Sequence, residues 1–219
     1  RMSDPCGRVN GMVGASENDR LVWIDCEMTG LDLGVDELVE IAVVVTDFEL
    51  TVLDPGFQIV IKPDDSALAN MSEFVTAMHR DSGLLEEIPH GVSLADAEFQ
   101  ALEYIQRFVP QENKAPLAGN TIGTDRMFLA KYMPRIDHWL HYRNVDVSSI
   151  KEMSRRWFPR AYFQAPAKNG GHRALADIHE SIRELAYYRR AVFVPEPGPA
   201  SDEARAAAAS AVSSYPFPV

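Results

Sequence analysis

Asp25 and Glu27 stand two residues apart in LVWIDCEMTGL, Leu21–Leu31, a stretch that otherwise has the make-up of a buried β-strand. Side chains alternate along a strand, so both carboxylates lie on one face, about 6–7 Å apart, together with Leu21 and Trp23. Val22, Ile24, Cys26 and Met28 cover the opposite face. Like charges held that close repel each other, and burial makes each more costly. Water, a cation or a shared proton must relieve the cost. A strand that simply emerges into solvent would also relieve it, so a lone D-x-E is weak evidence for a metal site.

Two more acids and one histidine occupy comparable places. Asp125 lies just past the glycines of AGNTIGTD, where a strand gives way to a helix. There it could equally be a first-turn acid that satisfies the helix dipole. Asp177 lies in GGHRALADIHESIREL on the polar side of the last strong helix, with Glu180 and Glu184 alongside, and could equally be a solvated carboxylate. His172 follows Gly170–Gly171 and precedes Asp177 by five residues, where a loop meets that helix. A histidine on a hinge-like loop beside converging carboxylates suits a general base that swings onto a water.

The elements that must position these groups follow from periodicity. After the first strand, ELVEIAVVVTD (Glu37–Asp47) and FQIVI (Phe57–Ile61) are β-branched strands, and their short connections predict an antiparallel meander. Ser93 predicts a helix N-cap, with apolar residues recurring at helical period from Leu94 to Phe108 and a stop at Pro110. Pro116–Asn120 reads as a short strand leading into a helix over Thr121–Tyr132. Asn144–Val147 reads as another strand, with Ser148 capping the helix SSIKEMSRRWF. Ala161–Gly171 is a loop, and Ala174–Ala191 carries an apolar stripe of Leu175, Ile178, Ile182 and Leu185. Three strands, then helices alternating with two more, predict an α/β domain with a mixed five-stranded sheet flanked by helices.

Composition narrows the function. The 219 residues suit one domain with tails, and no apolar run approaches membrane-spanning length, so a cytoplasmic protein without membrane contact is expected. Residues 1–20 read as a disordered leader or an expression remnant, 21–194 as the domain and 195–219 as a low-complexity tail able to hold a short Ala-rich helix. The two cysteines, Cys6 and Cys26, offer no zinc-ligand spacing and no credible disulfide. A net charge of −11 argues against coating a long polyanion. Yet between Lys131 and Arg173 nine Lys/Arg face three acids, which is either a solvated basic surface or a local holder of phosphate.

Taken together, D-x-E in the first strand, a mid-chain Asp after a glycine-bearing loop and a late H-x-x-x-x-D resemble the DEDDh 3′→5′ exonucleases. WIDCEMTGLD, AGNTIGTDRMFLAKYMP, HYRNVDVSSIKEMSRRW and HRALADIHESIRELAYYR are much closer, within that group, to the oligoribonuclease family. The resemblance covers about Leu21 to Val194. It implies a ribonuclease H-like fold, a homodimer, and two divalent cations, Mg²⁺ or Mn²⁺, held by Asp25, Glu27, Asp125 and Asp177, with His172 as the base. It further implies 3′→5′ hydrolysis of short RNA oligonucleotides, especially 5′-phosphorylated dinucleotides, to nucleoside 5′-monophosphates. Leu31 resembles an apolar wedge between two bases, His79 a phosphate contact, and Phe74 stands at a stacking position that tryptophan fills in relatives. Tyr142, Arg143, Ser148 and Lys151 resemble a cap over the substrate's 5′ phosphate, supplied in part by a partner subunit. Two rivals stay open: a DEDDh exonuclease acting on longer chains, and a nucleic-acid-binding module without catalysis.

Overall fold

The computed structural model describes residues 19–168 and 171–215; most of the expected leader, Asn169, Gly170 and residues 216–219 lie outside them. Strands β1 (Arg20–Met28), β2 (Leu38–Asp47) and β3 (Phe57–Val60) come first. Helices α1 (Asp65–Asn70), α2 (Glu73–Asp81), α3 (Leu84–Glu87) and α4 (Leu94–Phe108) follow. The rest runs β4 (Pro116–Gly119), α5 (Gly123–Tyr132), α6 (Pro134–Trp139), β5 (His141–Asp146), α7 (Val147–Trp157), α8 (Pro159–Phe163), α9 (Ala174–Ala191) and α10 (Ser201–Ser214). Among these described residues no helix is long and apolar enough to cross a membrane.

The sheet order is β3-β2-β1-β4-β5. β1 pairs antiparallel with β2, and β2 with β3, which makes the expected meander. β4 runs parallel to β1 and β5 parallel to β4, so the sheet is mixed. β1 and β2 are buried almost throughout because both sheet faces are covered. On one face Val22, Ile24, Cys26 and Met28 join Ile41, Val43 and α4's Ala97, Ala101 and Ile105. On the other, Leu21 and Trp23 meet Ala42, Val44 and the α9 residues Ala174, Ile178, Ile182, Leu185 and Tyr188. The alternation of β1 therefore puts Asp25 and Glu27 on the α9 side of the sheet.

Several expectations are adjusted. β5 begins at His141 rather than Asn144, and residues 161–163 are helical rather than loop. α7 starts at Val147 and is capped by Asp146, whose carboxylate accepts from the Ser148 amide at 2.9 Å; Ser148 is not the cap. Leu175 is only partly buried, and the α9 stripe instead opens on Ala174. The segment α1–α3 carries no clear period and is folded nonetheless. The Ala-rich α10 forms, with all of its residues exposed.

Candidate active site

β1 delivers the first pair of acids. Glu27 is buried at the end of the strand, opposite Glu40 of β2 in register. β1 and β4 pair only through Val22 and Trp23, and the two strands then part. The Cys26 amide, freed from that ladder, donates instead to Asp125 Oδ1 at 3.0 Å. Asp125 sits in the first turn of α5, so a β1 backbone group and a helix N-terminus hold it beside the pair. α9, lying across β1 and β2, brings Asp177 in its first turn to the same place. One ligand atom each of Glu27, His172 and Asp177 lie within 4.8 Å of one another. His172 itself is exposed, with φ +47°, at the mouth of the cluster.

Charge crowding is the dominant property of this site. Burial, followed by the Asp177, Glu40 and Asp125 charges, pushes Glu27 up to about 8 from an ordinary 4.5. Burial also raises Asp125 to about 7, although the Cys26 amide pulls the other way. Asp25 is driven well above its ordinary value by burial and then by Asp125, Glu27 and Asp177. Burial and Glu180 raise Asp177, opposed by His172 and Lys168. Four carboxylates whose pKa values are all raised, first of all by burial, form a set of oxygen donors short of positive charge. Hard divalent cations fit such a set, since they take oxygen ligands and their charge offsets the repulsion.

The remaining expected residues are spread around this centre. Leu31 is 75% exposed on the turn after β1. That turn is tight: the Asp36 carboxylate accepts from the Thr29 hydroxyl and the Asp32 amide, both at 2.9 Å. A Cβ on Gly30 would fall 2.3 Å from Asp36 Oδ2, so a larger residue there would push that carboxylate off its two partners. Phe74, on α2, is 76% exposed. His79, on the same helix, is wholly buried. Its Nε2 meets the Met28 carbonyl at 2.8 Å, and its Nδ1 lies 3.9 Å from Glu27 Oε2. Burial lowers its pKa, so the neutral ring donates from Nε2 and turns an unprotonated Nδ1 toward Glu27.

Tyr142 and Arg143 are exposed on edge strand β5, the guanidinium 5.5 Å from the tyrosine ring centre. Ser148 accepts from the Thr121 amide at 2.9 Å and donates to Asn120 Oδ1 at 3.0 Å. Lys151 pairs with the buried Glu184 at 3.2 Å, as does Lys168 at 2.8 Å. Burial alone would raise Glu184, but the two lysines hold it below its ordinary value. Part of the local basic excess is thus neutralised: besides Lys151 and Lys168 on Glu184, Arg156 pairs with Glu152 and Arg173 with Glu40 and Glu87.

Sequence reasoning missed Glu40. It lies in LVEIAVVV with no exposed surface, and its carboxylate accepts from Gln58, Arg173 and the Ala174 amide. A single charge inside an apolar strand was the available signal.

The Exonuclease (RNase_T) family matches residues 22–185. An oligoribonuclease of Leifsonia xyli subsp. xyli is 73% identical over 201 residues, 92% of this chain and 97% of that one. The chain belongs to the oligoribonuclease family. It is accordingly a 3′→5′ exoribonuclease. The oligoribonuclease of Streptomyces griseus is 61% identical over 192 residues, covering 88% of this chain and 96% of its own. Among solved structures, exonuclease I of Methylocaldum szegediense overlays 78% of this chain with a TM-score of 0.59 at 18% identity. Exonuclease I of E. coli, in complex with a dA16 oligonucleotide, gives 0.61 over 80% at 16% identity. This chain spans about 40% of those longer proteins, and the likeness establishes a ribonuclease H-like fold. The exonuclease family and the cluster of Glu27, His172 and Asp177 together suggest dependence on divalent metal.

Proposed function

We propose that this oligoribonuclease hydrolyses 5′-phosphorylated dinucleotides and other very short RNA chains with two divalent cations, Mg²⁺ or Mn²⁺, and His172 as general base. Residues 21–194 carry the activity. The observation behind this reading is the convergence of Asp25, Glu27, Asp125 and Asp177 in one buried, charge-crowded cluster with His172 at its mouth.

Asp25, Glu27, Asp125 and Asp177 would hold the ions. When bound, divalent cations supply charge that activates a water and stabilises the leaving oxygen of an in-line phosphoryl displacement. His172 accepts the proton of the attacking water at a ring nitrogen. Its exposed position gives it access to that water, and its ring lies within 4.8 Å of ligand atoms of Glu27 and Asp177. Arg143 beside Tyr142, and Lys151 where it can exchange Glu184 for an anion, are the cations offered to the substrate's 5′ phosphate. Leu31 and Phe74, both large, apolar and uncovered, offer surfaces for base contact. Short chains are preferred because extra phosphates would meet a protein of net charge −11.

A homodimer completes the reading. Edge strand β5 presents Tyr142 to solvent, and Met153, Trp157, Phe158 and Phe193 expose apolar surface, with Met153, Trp157 and Phe158 lining one groove with Val192. Calorimetric titration of Mn²⁺, with chromatography of the products from a 5′-phosphorylated dinucleotide, tests the proposal. The expected results are saturable metal binding and two nucleoside 5′-monophosphates. Turnover in excess chelator would overturn it.

A further inference from the structure

Arg173 follows His172 in the chain and is gripped from two sides. Its Nε and Nη2 donate to Glu40 Oε1 at 3.2 and 2.9 Å, and its Nη1 and Nη2 donate to Glu87 Oε1 and Oε2 at 2.9 and 3.1 Å. Glu40 is fully buried in β2 and braced by Gln58 Nε2 at 2.6 Å, so its position is set by the sheet. Its other oxygen accepts from the Ala174 amide at 3.0 Å, at the first residue of α9. Glu87 ends α3, the helix that follows α2 with Phe74 and His79. One guanidinium thus joins the central sheet, the α2–α3 region and the entry to α9.

His172, immediately before it, stands at φ +47°, in the left-handed region that a side chain with a Cβ rarely adopts. Such a conformation persists only where the surroundings impose it. The planar fork of an arginine held by two carboxylates is a rigid anchor of that kind, and a lysine cannot reproduce it.

We propose that Arg173, clasped between Glu40 and Glu87, is a positioning residue that fixes the His172 backbone so that the imidazole addresses the attacking water. The proposal rests on the reading of His172 as the base. Arg173 acts through its neighbour, its guanidinium being taken up by Glu40 and Glu87. Because the Ala174 amide is bound to the second oxygen of Glu40, loosening Arg173 leaves the start of α9, and with it Asp177, in place.

The test is a double-mutant cycle on the metal-loaded enzyme, with kcat and KM measured on a 5′-phosphorylated dinucleotide. Arg173→Lys keeps the charge and loses the fork. Glu87→Gln breaks only the half-exposed outer contact and spares the core. Misplacing a catalytic group by a fraction of an ångström should cost about tenfold in kcat for Arg173→Lys and about threefold for Glu87→Gln, with KM nearly unchanged. Calorimetric Mn²⁺ affinity should stay within about twofold of wild type, since both variants leave the ligand carboxylates alone. In a His172→Ala background both substitutions should cost less than about twofold, because the group they position is gone. The same loss in both backgrounds, or unaltered kcat in the wild-type background, would overturn the clasp. Full activity of His172→Ala alone would instead overturn the assignment of the base.

Discussion

Glu27→Gln should make the metal-free protein more stable, and by an amount that depends on pH. Glu27 stands at about 8 in the fold against an ordinary 4.5. That difference corresponds to about 5 kcal/mol of preference for the protonated carboxyl. The folded value lies above the unfolded one, so the stabilising preference for the proton is fully present below about pH 4.5 and is lost as pH rises through about 8. Integrated from pH 5 to pH 8, the loss for this one group is about 3 kcal/mol. Glutamine fills the same space without the charge and removes that dependence. The assay is urea unfolding of both proteins in chelator at pH 5 and pH 8. Wild type should lose about 3 kcal/mol more than Glu27→Gln across that interval, and divalent cation should restore most of it to wild type alone. Equal losses in the two proteins, within about 0.5 kcal/mol, would refute the claim that burial, with the neighbouring carboxylates, makes the Glu27 charge costly in the metal-free protein.

Three further outcomes are expected. Asp25→Asn or Asp125→Asn should abolish hydrolysis while chelator-treated protein melts no lower than wild type, because Asn can still accept at the position where Asp125 receives the Cys26 amide; activity within about tenfold of wild type would remove the two-metal reading. His172→Ala should lower the rate about 10²–10⁴-fold with calorimetric metal binding retained. A mutant with an undiminished rate would place the base elsewhere. Arg143→Ala should weaken dinucleotide binding and erase most of the preference for short chains, read as KM on two-mers and twenty-mers, without moving Mn²⁺ affinity.

The parts of the fold legible in the sequence are those where burial imposes a period. β1 alternates between two covered faces, β2 is an apolar run, and α9 was bounded correctly at Ala174 and Ala191 because its buried residues recur helically. α2 escaped because its one buried residue is His79, which no hydrophobic pattern reveals. β5 was entered late because HYR lies on an exposed edge, where nothing enforces alternation. Asp146 and Ser148 can each cap a helix. The choice fell to Asp146 because its Oδ1 serves the Ser148 and Thr121 amides together, a long-range contact that local sequence does not contain. In the site, carboxylate spacing led to the acids, and the structure brings Glu27 and Asp177 together with His172. Their support, through Glu40, Arg173 and Glu87, depends on side chains 133 and 86 positions apart and was visible only as an odd charge in β2.

The central claim is that a charge-crowded carboxylate cluster becomes, with divalent metal, a site for the shortest RNA chains. Its most direct measurement is kcat/KM for a 5′-phosphorylated dinucleotide and for a twenty-nucleotide chain, each with Mg²⁺ or Mn²⁺ and with chelator. The expected result is no turnover of either substrate in chelator and, with metal, an efficiency on the dinucleotide at least about tenfold above that on the long chain, the equivalent of about 1.4 kcal/mol in transition-state binding. Equal efficiency on the two lengths, or hydrolysis that persists in chelator, would contradict it.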